Sequence, residues 1–163
     1  MSSNIEDFYS MGTTTKIDRL KIGIGCDHAG FELKEELKKY MLEKEWDLKD
    51  AGTFSTERCD YPDFAHRVAN LVESKEVDFG LLICGSGNGI NMTANKHKGV
   101  RSALCWNREI AVLARQHNDA NIMALPARFI DSLEAKACVD VFFSTVFEGG
   151  RHTERVNKIG EGC

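Results

Sequence analysis

From residue 20 onward the chain alternates short apolar runs with stretches whose apolar side chains recur every three or four positions. Residues 20–26 form a β-prone run, and 30–45 follow with Leu33, Leu37, Tyr40 and Met41 at helical spacing. Residues 46–50 predict a second strand, ending at Ala51-Gly52. Pro62 suits the first turn of the next helix, whose apolar face holds Phe64, Val68, Leu71 and Val72. The third strand is predicted over 79–84, a helix over 89–96 and the fourth strand over 100–105. Asn107 is a good cap for a helix that turns Ile110, Leu113 and Ala114 inward, and 121–125 is the fifth strand. A long helix is expected over 127–146, broken by Gly149-Gly150, with a short helix over 151–159.

Repeated β-α units imply a parallel sheet covered by helices on both faces. The expected fold is therefore α/β, a three-layer αβα Rossmann-like sandwich around a five-stranded parallel sheet. Residues 1–19 show little periodicity and read as a flexible or loosely docked extension, leaving 20–163 as a single domain. In such sheets ligands sit at the carboxyl ends of the strands. That edge gathers residues 26–28, 53–61, 84–89, 105–106 and 126–128, where many of the unusual polar side chains fall.

Composition narrows the partners. A formal net charge of −4 argues against nucleic acid, and no apolar stretch approaches the ~20 residues that cross a membrane. The six cysteines are preceded by no apolar leader and include no CxxC pair, so disulfide, zinc and thioredoxin-like readings lack their spacing. Reduced cysteines in a cytoplasmic protein are the expectation.

The most informative segment is 80–89, an apolar strand that stops at Cys84 and continues into Gly85, Gly87 and Gly89 with Ser86 and Asn88 between them. Glycines in alternate positions let backbone N–H groups turn inward and cradle negative charge. A helix starting there is expected to lower the Cys84 thiol pKa from its usual ~8.5, although an inert core cysteine is the plainer alternative. The loop is not a dinucleotide fingerprint, because GxGxG follows the third strand and no acid occurs near 100–104. No Gly-Lys-Ser/Thr follows it, and the position where a cysteine phosphatase would place arginine is Ile90.

Other candidates remain open between chemistry and structure. Asp27-His28 is either a ligand-facing pair or a turn with its cap. The cluster from Arg115 to Asp119 either complements a helix C-terminus or offers His117 as a proton carrier. Arg151 and Arg155, one helical turn apart with His152 between them, are either a phosphate clamp or a solvated helix face. No metal-ligand spacing is apparent.

The segments GCDHAGFELK (25–34), DYPDFA (60–65), ICGSGNGI (83–90), ANKHKGVR (94–101), RQHNDANI (115–122) and FEGGRHTERV (147–156) together resemble the type B ribose-5-phosphate isomerase family, which includes galactose-6-phosphate and allose-6-phosphate isomerases. The resemblance implies a metal-free, cofactor-free aldose–ketose isomerase of the pentose phosphate pathway, acting on ribose 5-phosphate through a cis-enediolate. Some members use a glutamate just after the glycine loop; that position is Ile90 here, which leaves Cys84 as the matching base. Ser86 would assist proton movement between O1 and O2, and the amides of 85–89, from Gly85 through Gly87 and Asn88 to Gly89, would receive the enediolate oxygen. His117 would open the furanose ring, with Asp27 and Asn118 on sugar hydroxyls and Tyr61 lining the site. His28, Arg151 and Arg155 would grip the phosphate with Arg128, and His152 lies in the same substrate-binding group. The family implies a homodimer, or a tetramer, with its site at the subunit interface and some residues, Arg128 among them, supplied by the partner. A six-carbon sugar phosphate, a non-catalytic phosphosugar-binding module and a redox-sensing thiol protein are the competing readings.

Overall fold

The computed structural model describes residues 19–162, so the predicted extension, apart from its last position, and Cys163 lie outside the described residues. Five strands, β1 (Lys21–Cys26), β2 (Asp47–Asp50), β3 (Phe79–Cys84), β4 (Ser102–Leu104) and β5 (Ile122–Pro126), form one parallel sheet in the order β2-β1-β3-β5-β4. The expected five-stranded αβα sandwich is what the chain builds.

Alternation along the strands divides the core into two layers. Leu81 and Ile83 of β3 face one side with Ile22, Ile24, Met123 and Leu125, packing on α1 (Phe31–Glu43), α4 (Arg108–Asn118) and α5 (Ser132–Ser144). Leu82 and Cys84 face the other side with Ile122 and Ala124, under α2 (Tyr61–Glu73) and α3 (Asn88–Ala94). β3 is apolar on both faces because it lies at the centre of a doubly covered parallel sheet. A last helix, α6 (Arg151–Lys158), rests on α4.

Two predicted elements are shorter than expected. The helix foreseen over 127–146 begins only at Ser132, where Asp131 accepts from the Glu134 amide at 2.8 Å. Residues 127–131 form a turn instead, because the amides of Ala127 and Arg128 donate to the carbonyls of Cys84 (2.9 Å) and Gly85 (3.0 Å). The fourth strand covers only Ser102–Leu104. There the Asn95 side chain donates to the Ser102 carbonyl and accepts from its amide, both at 2.8 Å, and so covers the open edge of β4.

Lys34 is fully buried, with its ammonium 2.8 Å from both oxygens of Asp50 and 4.9 Å from the centroid of the Phe54 ring. Burial pushes the Asp50 carboxyl up, but Lys34, Lys38 and the Gly52 amide outweigh it and hold the group below the usual carboxylate range. The ion pair ties α1 to the end of β2, from which the loop to Tyr61 departs.

Candidate active site

All strands run the same way and each long helix returns, so the sheet has a carboxyl edge and an amino edge. At the carboxyl edge, β1 hands over to Asp27, whose Oδ1 accepts from the amides of Ala29 and Gly30, both at 3.0 Å, and caps a single 3-10 turn, His28–Gly30. Gly30 is required by close approach: a Cβ there would lie 2.6 Å from the Ile83 carbonyl oxygen. Asp27 therefore serves as a cap, whatever else its second oxygen contacts. His28 Nδ1 sits 3.2 Å from the Cys59 carbonyl and 3.3 Å from the Cys59 amide, which holds the 51–60 loop over the edge.

Cys84 ends β3 and is buried on the α2–α3 side of the sheet. Burial pushes its thiol up, the amides of Ile90 and Gly87 pull it back, Asp27 adds to the rise, and the Ser86 amide opposes it; the balance stays above the ordinary value. The expected lowering does not occur. Helix α3 begins four residues beyond the cysteine, and a largely dry sulfur outweighs the amides that face it. The loop N–H groups of Ser86, Gly87 and Ile90 act to hold the thiol pKa down, and burial outweighs them. Gly87 has φ +75° and stands where a Cβ would meet Leu104 Cδ1 at 2.4 Å. Ser86 is exposed, and its hydroxyl accepts from the Asn88 amide at 3.3 Å.

Tyr61 and Arg128 close on this loop from either side. The Tyr61 ring fills the space over Gly89, while the Arg128 guanidinium lies 3.4 Å from where a Gly85 side chain would begin. Within the chain, Arg128 thus lies beside its own glycine loop.

The remaining candidates lie elsewhere. His117 and Asn118 end α4, just before β5 starts, and therefore sit at the amino edge of the sheet. Cys84 pairs with Pro126 at the far end of β5, roughly 13 Å along the strand at ~3.3 Å per residue. Arg115 anchors this second cluster: it is buried, donates to the carbonyls of Thr145 (3.2 Å) and Ala120 (2.6 Å), pairs with Asp119, and lies over the Phe79 ring at 4.9 Å. The Glu148 amide donates to the Gln116 carbonyl at 3.1 Å, bringing the start of α6 beside His117. Gly149 (φ +66°) and Gly150 (φ +55°) make the turn into α6, where Arg151 and Arg155 are exposed. His152 is buried and stacks on His117, ring centroids 4.3 Å apart and 12° from parallel. Burial together with His117 and Arg151 lowers the His152 pKa, which Glu148 opposes and Arg155 assists. His152 is therefore buried between its two exposed arginine neighbours, Arg151 and Arg155.

Sequence reasoning missed Glu148, whose carboxylate faces both histidines at 3.9 Å (His117) and 3.6 Å (His152). The signal was present as Glu148 and His152 four positions apart, hidden by the glycine pair between them. These three residues place ligand atoms within 4.8 Å of one another, a proximity that their separation along the chain conceals. A second missed group is Glu73, His97 and His66, linked by two contacts of 2.8 Å on the surface.

A profile of the family described as Ribose/Galactose Isomerase matches residues 22–159. The chain belongs to that family. Among its relatives, ribose-5-phosphate isomerase B of Escherichia coli is 46% identical over 139 residues, covering 85% of this chain and 93% of that protein. A crystal structure of a ribose 5-phosphate isomerase from Thermotoga maritima matches with a TM-score of 0.86 and 50% identity, over 87% of this chain and 98% of the other. A structure of ribose-5-phosphate isomerase B from Mycoplasma genitalium, with bound ribulose-5-phosphate, matches with a TM-score of 0.82 and 42% identity, over 86% of this chain and 94% of that one. Membership in this family fits a cysteine that leads into a glycine loop at the carboxyl edge of a doubly wound sheet.

Proposed function

We propose that the chain interconverts D-ribose 5-phosphate and D-ribulose 5-phosphate, and that it does so as a homodimer whose sites each combine two edges. The observation that carries this reading is the division of the candidates. Cys84 with its glycine loop, Ser86, Tyr61 and His28 occupies one edge, while His117, Asn118, Arg151 and Arg155 occupy the other. A second copy placed with its amino edge against the first copy's carboxyl edge joins the two sets. Exposed apolar side chains at both edges, Phe54, Trp106, Phe129 and Leu133 at one and Val146 and Ile159 at the other, suit such an interface. The five free cysteines among the described residues suit a reducing, cytoplasmic setting.

In this reading His117 moves the proton that opens the furanose ring, while Arg151, Arg155, Arg128 and His28 hold the phosphate away from the reacting carbons. The Cys84 thiolate takes the proton from C2, and that C–H pair becomes the C1–C2 double bond of a cis-enediolate as the aldehyde oxygen gains charge. Ser86 passes a proton between O1 and O2. The thiol then returns its proton to C1, which leaves the ketone at C2 with no net gain or loss of electrons. The amides of Ser86, Gly87 and Ile90 favour the thiolate that this step consumes and regenerates.

The test is complementation. Cys84→Ala and His117→Ala are each expected to abolish turnover of ribose 5-phosphate. Unfolding both together and refolding them as a mixture restores about one quarter of wild-type activity, because half the dimers are mixed and each then holds one intact site. A mixture as dead as its components would defeat the two-edge site. Turnover of allose 6-phosphate exceeding that of ribose 5-phosphate on the wild-type protein would reassign the substrate.

A further inference from the structure

We propose that His117, Glu148 and His152 form a binding site for a divalent transition-metal ion, zinc fitting best, and that its occupancy switches the isomerase off. The inhibition rests on the proposed role of His117, whereas the binding site does not.

The three side chains converge without satisfying one another. His152 Nε2 is 3.6 Å and His117 Nε2 3.9 Å from the same oxygen of Glu148, both beyond hydrogen-bond distance, and the two rings meet only face to face. Ligands about 2.0–2.1 Å from a tetrahedral zinc ion stand roughly 3.3 Å from each other. The two carboxylate–imidazole distances therefore need to shorten by roughly 0.3 and 0.6 Å around a central ion, and the three ligand atoms, all within 4.8 Å of one another, draw in together. Two imidazoles and one carboxylate favour zinc and its neighbours over magnesium or calcium, which prefer all-oxygen cages. Three protein ligands leave a fourth position open to water.

The frame for such a site is largely in place. His152 is buried, so its ring is fixed, and the Gly149-Gly150 turn sets Glu148 one step ahead of it. The Glu148 amide is held by Gln116, the neighbour of His117. An ion lies in the plane of each imidazole it binds, so the stacked rings have to splay, and the one free to tilt is His117, whose side chain is 36% exposed. Arg151 and Arg155 repel a cation, but both are exposed and screened by water. With its Nε2 on the ion, His117 no longer carries a proton to the sugar ring.

The experiment uses the full-length untagged protein and cobalt(II) as a spectroscopic probe, with no substrate present. One cobalt per chain with the strong visible bands of a four-coordinate ion, displaced by zinc and retained in Cys84→Ala, is the expected result. Glu148→Gln should keep wild-type turnover in the presence of a chelator, while its sensitivity to zinc falls by about tenfold or more. Cobalt bands that show sulfur charge transfer and vanish in Cys84→Ala overturn the proposal, as does zinc inhibition unchanged in Glu148→Gln. If the wild type binds cobalt as expected but does not turn over ribose 5-phosphate, the metal site stands and the isomerase reading fails.

Discussion

Tyr61 occupies the space that a side chain at Gly89 would need: a Cβ there would come within 2.5 Å of Tyr61 Cζ. The absence of one methyl group thus couples the first residue of α2 to the loop after Cys84. Gly89→Ala fits α3 itself, so the added carbon acts mainly by pushing the ring away. A fall in kcat/KM of about tenfold, with little change in melting temperature, is expected from a misplaced positioning group. Steady-state kinetics with ribose 5-phosphate beside a thermal melt would show it, and an unaffected kcat/KM would mean Tyr61 does not shape the site.

Cys84 has its thiol above the ordinary value, so at neutral pH most of it is protonated. The thiolate that the proposed step requires becomes commoner as pH rises. Activity should therefore climb from neutral into alkaline pH, in step with the rate at which iodoacetamide alkylates Cys84. Paired measurements of kcat/KM and alkylation against pH check this, and two curves with clearly different midpoints would remove Cys84 as the base.

Asp50 has its carboxyl held below the unfolded value, so the sign of its pH effect is fixed. Its contribution to stability is complete above the ordinary carboxylate pKa and is lost as pH falls through the lower folded value. Asp50→Asn leaves the buried Lys34 ammonium with only Glu35, 3.3 Å away, and should cost about 3 kcal/mol. Urea unfolding of wild type and variant across acidic pH tests both statements. The gap between them should narrow as pH drops.

Arg115 spends its guanidinium on two carbonyls, one carboxylate and an aromatic face. Lysine offers a single ammonium with no planar fork, so Arg115→Lys should lose about 2 kcal/mol or more despite keeping the charge. A chemical denaturation curve decides it. A change within a few tenths would mean the planar geometry is unimportant.

The architecture was legible because each strand and helix carries its own period, and the central strand 79–84 was foreseen with the ends it has. The start of α5 was not, because Ala127 and Arg128 are helix-compatible residues whose amides are taken by Cys84 and Gly85 across the sheet. The chemistry of individual residues was readable in part. The glycine loop announced a concentration of amides, but only the fold shows that burial of the thiol outweighs them. Burial of Cys84 is a tertiary property, and it reversed the lowering that the nearby helix start suggested. Arg115 and His117 sit two positions apart and looked like one cluster; one braces the fold and the other faces outward.

Helix α4 also acts as a measuring rod. Its eleven residues carry His117 away from the carboxyl edge and fix where that ring is presented. Inserting a single residue would advance the ring by about 1.5 Å and swing it through roughly 100°. Point changes along the outer face of α4 leave that presentation intact, whereas any insertion or deletion dephases it. Evolution of this fold can therefore vary the helix in composition much more freely than in length.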